Sequence, residues 1–534
     1  MMARRRTPSR HRDRIAPPVS RADFLADEAG DVSTGNGPLR IVLIYPNTYA
    51  VGMSSLGFQM VRQGLRDTGF TRVERAFTDP APARSLEGDR PLADFDILAF
   101  SVAFELDYLN MLDLLDRAGV PLFASRRQPR DPLVIAGGVA VAVNRHPIYP
   151  FVDVLVHGEG EDILEPLARA CRESGRQRRR LYEILTEMPG VEVTTGALRA
   201  AGIAASDGLP ADLDDRIENG TVESGLRLAA PKPVQAADPR RTPAASRIVT
   251  PRAELGLRVL AEIARGCPYR CTFCWLGHNC RDFVPRPADL VLSMCEEACA
   301  ITHCRSVGLI SAAVGAHPQI DAICEGLLAR GVQVSFSSLR AEEIRPSMVE
   351  ALVRSGQRGL TLAPETGGER LRRMAGKSLS NEALLDVVDR AQRAGLEDFK
   401  LYFMVGLPTE TDAEADEIVS LADGVRRVMR AHARSGGRTG ELAINLGVYV
   451  PKPNTPLARI ETPPLAVVRR RMRRVVQCLA ALPNVRVAPE SVDLAGAQRL
   501  LSMGGLETAS LLLSVWQSGG NWRPVVRRAA REKA

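Results

Sequence analysis

A chain of 534 residues that is 45% hydrophobic and 25% charged is built like an ordinary globular protein with length for two or three cores, which excludes a single small domain. Seventy Lys and Arg against 63 Asp and Glu leave +7, too thin an excess over this length to argue by itself for a nucleic-acid partner. No stretch approaches the roughly eighteen consecutive apolar residues of a membrane span, so no membrane insertion and a cytoplasmic location are expected.

Residues 1–37 read as a disordered basic arm. Residues 1–21 are rich in Arg and Pro and include Arg4-Arg5-Arg6, but no apolar segment follows, so neither a secretory nor a twin-arginine signal is supported. An Arg-rich, acid-poor start leaves a transit peptide open. From residue 40 strand and helix alternate: 41–45, 97–102, 133–135 and 152–157 read as buried strands, and 58–68 and 108–118 as helices. Such alternation predicts an α/β domain over 38–175, a doubly wound, Rossmann-like parallel sheet with helices on both faces. Gly137 and Gly138 after the third of these strands permit close approach of a large ligand, and Gly158 and Glu159 follow the last strand at the edge where such sheets bind ligands.

Residues 176–257 break this rhythm with a charge run at 176–180 and a Pro-, Ala- and Thr-rich stretch at 229–251, and they read as a linker. A second alternation follows, with strands expected at 258–264, 305–311, 332–337, 358–363, 398–405 and 442–450. Six such units over 258–482 predict a partial (β/α)6 barrel with its chemistry at the C-terminal ends of the strands. Residues 483–534 read as a small helical C-terminal cap.

Four of the ten cysteines (Cys267, Cys271, Cys274 and Cys280) fall in one short segment after the first barrel strand, a clustering that points to metal before disulfide. Within Arg265-Gly-Cys267-Pro-Tyr-Arg-Cys271-Thr-Phe-Cys274 the spacing is C-x3-C-x2-C. Three thiolates of one loop can hold three irons of a [4Fe–4S] cluster and leave the fourth iron without a protein ligand. That iron can chelate the amino and carboxylate groups of S-adenosylmethionine, so that one electron cleaves a sulfonium C–S bond and yields a 5′-deoxyadenosyl radical. The alternative is structural zinc with Cys280 or His278 as fourth ligand, although zinc sites favour two separated ligand pairs.

The loop resembles the signature of the radical SAM superfamily, and further segments are similar to its barrel: Ser338-Leu-Arg340 at the third strand, Leu362-Ala-Pro-Glu365-Thr-Gly-Gly at the fourth and Phe403-Met-Val-Gly406-Leu-Pro408-Thr-Glu410 at the fifth. The resemblance implies polar contacts to S-adenosylmethionine from Arg340 and Glu365, close backbone approach at Gly406, and a reductant partner such as flavodoxin or ferredoxin. Residues 136–161 are similar to the cobalamin-binding-type front domain of many such proteins. No D-x-H-x-x-G segment supplies a histidine to cobalt, which leaves two expectations open: cobalamin bound without that histidine, or an empty scaffold. Tyr45-Pro-Asn-Thr-Tyr-Ala-Val-Gly52, Asn144-Arg-His-Pro147 and Val450-Pro-Lys-Pro-Asn-Thr-Pro456 resemble an uncharacterised bacterial group within the superfamily, whose Arg-Gly-Asp-Arg-like tail is here Leu500-Leu-Ser-Met-Gly-Gly505.

An enzyme that abstracts hydrogen from, or methylates, an unknown substrate is therefore expected, methylation requiring cobalamin as carrier. Two other readings stand beside it. One is an RNA-modifying enzyme on the pattern of the methylthiotransferases, which carry three further front-domain cysteines where this chain has only Cys171. The other is a non-catalytic iron–sulfur or zinc scaffold. Arg469, Arg470, Arg471, Arg473 and Arg474 read as a solvated helix face, Cys295, Cys299 and Cys304 as small buried side chains, and His317 as a weak candidate for reaching substrate.

Overall fold

The computed structural model describes residues 19–80, 83–205, 207–229, 232–235, 238–432 and 440–532; the expected basic arm lies outside them up to residue 18. From there the expected arm gives way to structure, because Arg21–Ala26 is a helix capped by Ser20 whose Phe24 stacks on Tyr49. The first sheet contains β1 (Leu39–Ile44), β2 (Thr71–Ala76), β3 (Ile97–Ser101), β4 (Leu133–Gly137), β5 (Val154–Val156) and β6 (Val191–Val193). Their order is β2-β1-β3-β4-β5-β6, parallel except for β6, which runs antiparallel to β5. Successive side chains point to opposite faces. Ile41, Leu43, Ile97 and Ile135 pack with Phe58, Leu65 and Leu167 from helices Leu56–Arg66 and Leu164–Ser174, whereas Val42, Ile44, Leu98 and Val134 join the opposite core.

Strand β2 has no apolar run, which hides it from a hydrophobicity reading. Its Arg75 is fully buried between Glu28 at 2.7 Å and Glu87 at 2.6 Å, and Ser85 donates to its Glu74 at 2.6 Å. A buried charge is tolerable only when paired in this way.

The 176–257 stretch departs from the expected linker. It forms helices Arg178–Thr186, Thr195–Ala200 and Leu213–Glu218 as well as β6, so the first sheet extends to Val193. The charge run begins a helix whose buried face is Leu181, Tyr182 and Leu185.

The second unit is built on β7 (Val259–Glu262), β8 (Ser306–Ile310), β9 (Gln333–Phe336), β10 (Gly359–Glu365), β11 (Asp398–Val405), β12 (Leu442–Val448) and β13 (Val485–Pro489). All ladders among them are parallel, in the orders β9-β8-β7 and β10-β11-β12-β13, and one Leu339–Leu362 backbone pair bridges the two groups. The open barrel thus has a seventh strand beyond the six expected. Strand β13 is a half-exposed edge, which is why Val-Arg-Val-Ala-Pro gives little apolar signal.

The tail is more than a cap. Helices Val492–Met503 and Glu507–Gln517 place Ala497, Leu501, Ala509, Leu512 and Leu513 in the same core as Leu98, Phe100 and Leu112, closing the second face of the first sheet. Buried Glu105, beyond β3, fastens this junction by accepting from Gln498 and Ser502 at 2.9 Å each and pairing with Lys452 beyond β12.

Candidate functional site

The cysteine loop leaves β7 and sits over the C-terminal ends of the barrel strands. A short antiparallel pair, Ala264–Arg265 with Val284–Pro285, frames it. The loop is clamped from below: the Thr272 amide donates to Ala375 O at 3.1 Å, its hydroxyl to Met374 O at 2.6 Å, and the Leu457 amide to Thr272 O at 3.1 Å. Phe273 packs on Leu407, Tyr449 and Leu457, and Gly376, at φ +80°, leaves room for the Cys271 backbone 3.1 Å from where a Cβ would stand. These contacts fix the loop backbone around Cys271, Thr272 and Phe273.

Burial raises the Cys267 and Cys271 thiols above the ordinary range. Each also feels the Cys274 sulfur, while Arg340 offsets both and Lys377 offsets Cys271. Cys280 is likewise raised, by partial burial of its sulfur and by Cys274. Among the described residues no three His, Cys, Asp or Glu side chains converge tightly enough to hold a single metal ion. One zinc ion would draw its sulfurs to about 2.3 Å from a common centre, a closer gathering than a cubane cluster needs.

Arg340 and Glu365, both expected near the cofactor, are brought to this place. Arg340 Nη1 donates to Cys271 Sγ at 3.3 Å, and its guanidinium lies over the Tyr269 ring, 4.0 Å from the centroid. Glu365 ends β10 at φ +67°, and its Oε1 is 2.7 Å from the Lys377 ammonium, which also donates to Ala363 O at 2.6 Å. Sequence reasoning misses Lys377, because a lone lysine after a helix gives no signal. It misses Glu343 as well, whose side chain is 5% exposed and 3.9 Å from Arg340 Nε. Burial raises its carboxyl, and Tyr269, the Arg340 charge and the Gly315 backbone partly offset this. Gly406, at φ +90°, donates its amide to Glu410 at 2.8 Å, and a Cβ there would meet Val468 at 3.0 Å. Gly406-Leu-Pro-Thr-Glu410 is therefore a turn closed on itself.

Of the arginine strip, Arg470, Arg473 and Arg474 are exposed as expected of a solvated face and Arg469 is half-buried, whereas Arg471 turns inward. Arg471 is buried against Glu410 at 3.2 Å and Asp412 at 2.7 Å, while Arg470, Arg474 and Arg469 pair with Asp412, Asp416 and Asp493. His317 is fully buried, with Nε2 2.9 Å from Arg286 O and Nδ1 accepting from the Gln319 amide at 3.1 Å, so both nitrogens are occupied structurally. Cys295, Cys299 and Cys304 lie in the barrel core.

Between the two units lies a cavity of about 830 Å3 bounded by Gly160, Glu161 and Met60 of the first unit and by Arg265, Gly266, Cys280 and Ser311 of the second. A mainly apolar slot of about 190 Å3, lined by Ile41, Ala99, Gly137, Gly138, Gly158 and Leu167, shares Gly57, Val61, Gly160 and Leu164 with that cavity. Ion pairs cross the cavity's rim, from Arg265 to Glu161 at 2.7 Å and Glu159 at 3.4 Å and from Arg281 to Glu159 at 3.4 Å. Two of the expected ligand-side glycines answer to the protein's own backbone. A Cβ on Gly138 would stand 2.4 Å from Val102 O, and one on Gly158 would stand 2.0 Å from Val234 O. Gly137 has no such conflict, its nearest neighbour being 3.4 Å away.

Residues 261–422 match the radical SAM superfamily, and residues 69–194 match the N-terminal region of radical SAM proteins. The chain belongs to the radical SAM superfamily. It is an enzyme of that class, whose cofactors are a [4Fe–4S] cluster and S-adenosylmethionine. An uncharacterized protein of Methanocaldococcus jannaschii is 27% identical over 418 residues, 78% of each chain. The ribosomal protein uS12 methylthiotransferase of Kineococcus radiotolerans is 28% identical over 199 residues, 34% of this chain and 39% of that one. Among solved structures, the radical S-adenosylmethionine methyltransferase of Kitasatospora setae, with cobalamin and a [4Fe–4S] cluster bound, is 15% identical at a TM-score of 0.49, covering 78% of this chain and 74% of that one. Among the described residues no helix is long and apolar enough to cross a membrane.

Proposed function

We propose that Cys267, Cys271 and Cys274 are the protein ligands of the [4Fe–4S] cluster, with one iron left for S-adenosylmethionine, and that the enzyme performs cobalamin-assisted methyl transfer to a substrate of unassigned class. When bound, the cluster supplies the electron that cleaves S-adenosylmethionine and the corrinoid supplies a methyl carrier. Arg340 and Lys377 favour the ionised form of the Cys271 thiol, the form that ligates metal. Arg265 and Arg281 hold the Gly158–Glu161 turn against the cysteine loop, which keeps the first unit's ligand edge facing the cluster ligands.

The observation that carries the corrinoid part is the cavity between that edge and the loop, with an apolar slot running from it into the first unit. Doubly wound sheets bind ligands at this edge, and a large ring with an apolar appendage suits a wide chamber joined to a narrow slot. Among the described residues no histidine lines either space, so the corrinoid would be held without an imidazole from them.

The test is anaerobic reconstitution with iron, sulfide and hydroxocobalamin, followed by desalting and absorbance. Retention of about one corrinoid per chain supports the reading; a corrinoid-free protein with an intact cluster removes methyl transfer from it. Incubation with S-adenosylmethionine and dithionite should then give 5′-deoxyadenosine or S-adenosylhomocysteine. The methylthiotransferase alternative is disfavoured by Cys171, which is buried and whose thiol is pushed up to about 12 by that burial.

A further inference from the structure

The first sheet carries another cavity at its opposite edge, away from the cysteine loop. It holds about 230 Å3 among the N-terminal ends of β1, β3 and β4 and the turn that joins helices Leu164–Ser174 and Arg178–Thr186. Ile97 lines both this cavity and the apolar slot, so the two lie end to end on one face of the sheet. Arg130, Arg172, Arg176 and Arg178 line it, against two carboxylates, Asp96 and Asp131. Both acids are engaged elsewhere: Asp96 accepts from the Arg40 amide at 2.9 Å and pairs with its guanidinium at 3.5 Å, and Asp131 accepts from the Gln128 amide at 2.8 Å. Among the described residues none of the four arginines has an ion-pair partner. Two of them are nonetheless held in place. Arg178 Nη2 donates to Asp131 O at 2.6 Å, and the Arg172 guanidinium lies over the Phe70 ring, 4.5 Å from its centroid.

This crowding of like charge has an electrostatic cost. Helix Arg178–Thr186 opens on Arg178, Arg179 and Arg180 with no acid in its first turn, although that end carries the positive pole of the helix and favours anions. Of the three only Arg179 has a carboxylate partner, Glu183 at 3.1 Å. Four guanidiniums around one cavity repel one another, and an anion bound among them replaces that repulsion with attraction. Guanidinium forks match the oxygens of a phosphoryl group two at a time, and two of the forks here are already oriented by Phe70 and Asp131 O. The volume is below the ~300 Å3 at which sites for whole small molecules begin, so it suits one or two phosphoryl groups, with the remainder of any larger ligand lying across the rim.

We propose that this cavity binds a phosphate-bearing small molecule, its phosphoryl oxygens shared among Arg130, Arg172, Arg176 and Arg178. The site lies at the other end of the strands from the corrinoid edge and does not rest on the reading given there. The experiment is anaerobic equilibrium dialysis of radiolabelled pyrophosphate, and separately of ADP, against cluster-loaded full-length protein, with sodium chloride at matched ionic strength as the control. Wild type should bind pyrophosphate saturably. Arg130 and Arg176 are exposed and have no side-chain partner among the described residues, so replacing them removes no contact of the fold. Arg130→Gln and Arg176→Gln should each weaken pyrophosphate binding several-fold, and the double variant about tenfold or more. Arg354→Gln removes the same charge from an exposed helix of the second unit and should leave binding as in wild type. Equal losses in Arg354→Gln and Arg176→Gln, or wild-type binding in the double variant, overturn the proposal. So does a wild type that retains no more of either probe than ionic strength alone accounts for, a result independent of how any variant folds. Tighter retention of ADP than of pyrophosphate supports the site with a nucleotide as the source of the phosphates, and equal or weaker retention supports it with a free phosphate.

Discussion

Arg340 donates to the Cys271 sulfur at 3.3 Å from a guanidinium stacked on Tyr269, so a fixed positive charge faces one of the three loop thiols. Hydrogen bonds and positive charge at a ligand sulfur stabilise the more negative, reduced state of an iron–sulfur cluster. Arg340→Met should therefore lower the cluster's reduction potential by on the order of tens of millivolts. A redox titration without S-adenosylmethionine isolates this effect from cofactor binding; an unchanged or raised potential would contradict it.

The four clustered cysteines should separate into three and one. Ala at Cys267, Cys271 or Cys274 should abolish cluster absorbance and cleavage of S-adenosylmethionine. Cys280 lies at the cavity wall beyond the loop and is exposed, so Cys280→Ala should retain near wild-type iron content. Loss of iron in Cys280→Ala equal to that in Cys271→Ala would make it a fourth ligand.

The cysteine spacing and the strand–helix rhythm are legible because each is written in contiguous sequence. What stays hidden is long-range. The second face of the first sheet is covered by Leu501 and Leu512, about four hundred residues downstream of β3, and no local pattern names the surface a helix will cover. Strand β2 is hidden because its buried Arg75 is balanced by Glu28, far from it in sequence. Arg471 faces inward for the same reason: Glu410 waits on another element. Gly138 and Gly158 stand out as glycines, but the backbones that require them, at Val102 and Val234, come from elsewhere in the fold.

Those two glycines allow a steric test. Gly138 has φ +112° and Gly158 φ +105°, and in each case an added Cβ would strike backbone, which cannot swing aside. Gly138→Ala and Gly158→Ala should each cost more than the ~1 kcal/mol associated with an unfavourable φ alone. Gly137→Ala, with its nearest contact at 3.4 Å, should cost less than either. Thermal unfolding of the three variants checks the order; equal losses would mean that the backbone relaxes.

Two carboxyls just beyond β3 should give stability opposite dependences on pH. Burial pushes Glu105 up, but Lys452 and the donors from Gln498 outweigh it and hold its carboxyl below the ordinary value. Burial pushes Asp107 up to about 7, and Glu105 adds to this while the Asn47 amide, 2.8 Å away, offsets only part. In the unfolded chain Asp107 would ionise near its ordinary value of about 4. Between there and about pH 7 the folded state holds a proton that the unfolded state has released, so this group lowers stability as pH rises, by at most ~1.4 kcal/mol per pH unit. Glu105 works the other way, contributing stability that is present above its unfolded value and lost in acid. Asp107→Asn keeps an acceptor for Asn47 and cannot ionise. Its unfolding free energy should therefore match wild type near pH 4 and exceed it progressively up to about pH 7, whereas Glu105→Gln should lose stability most at neutral pH, where Lys452 is left without its counter-charge. Denaturant unfolding at about pH 5, 6 and 7 decides the matter: parallel profiles for wild type and Asp107→Asn would show that Asp107 is already ionised in the folded protein.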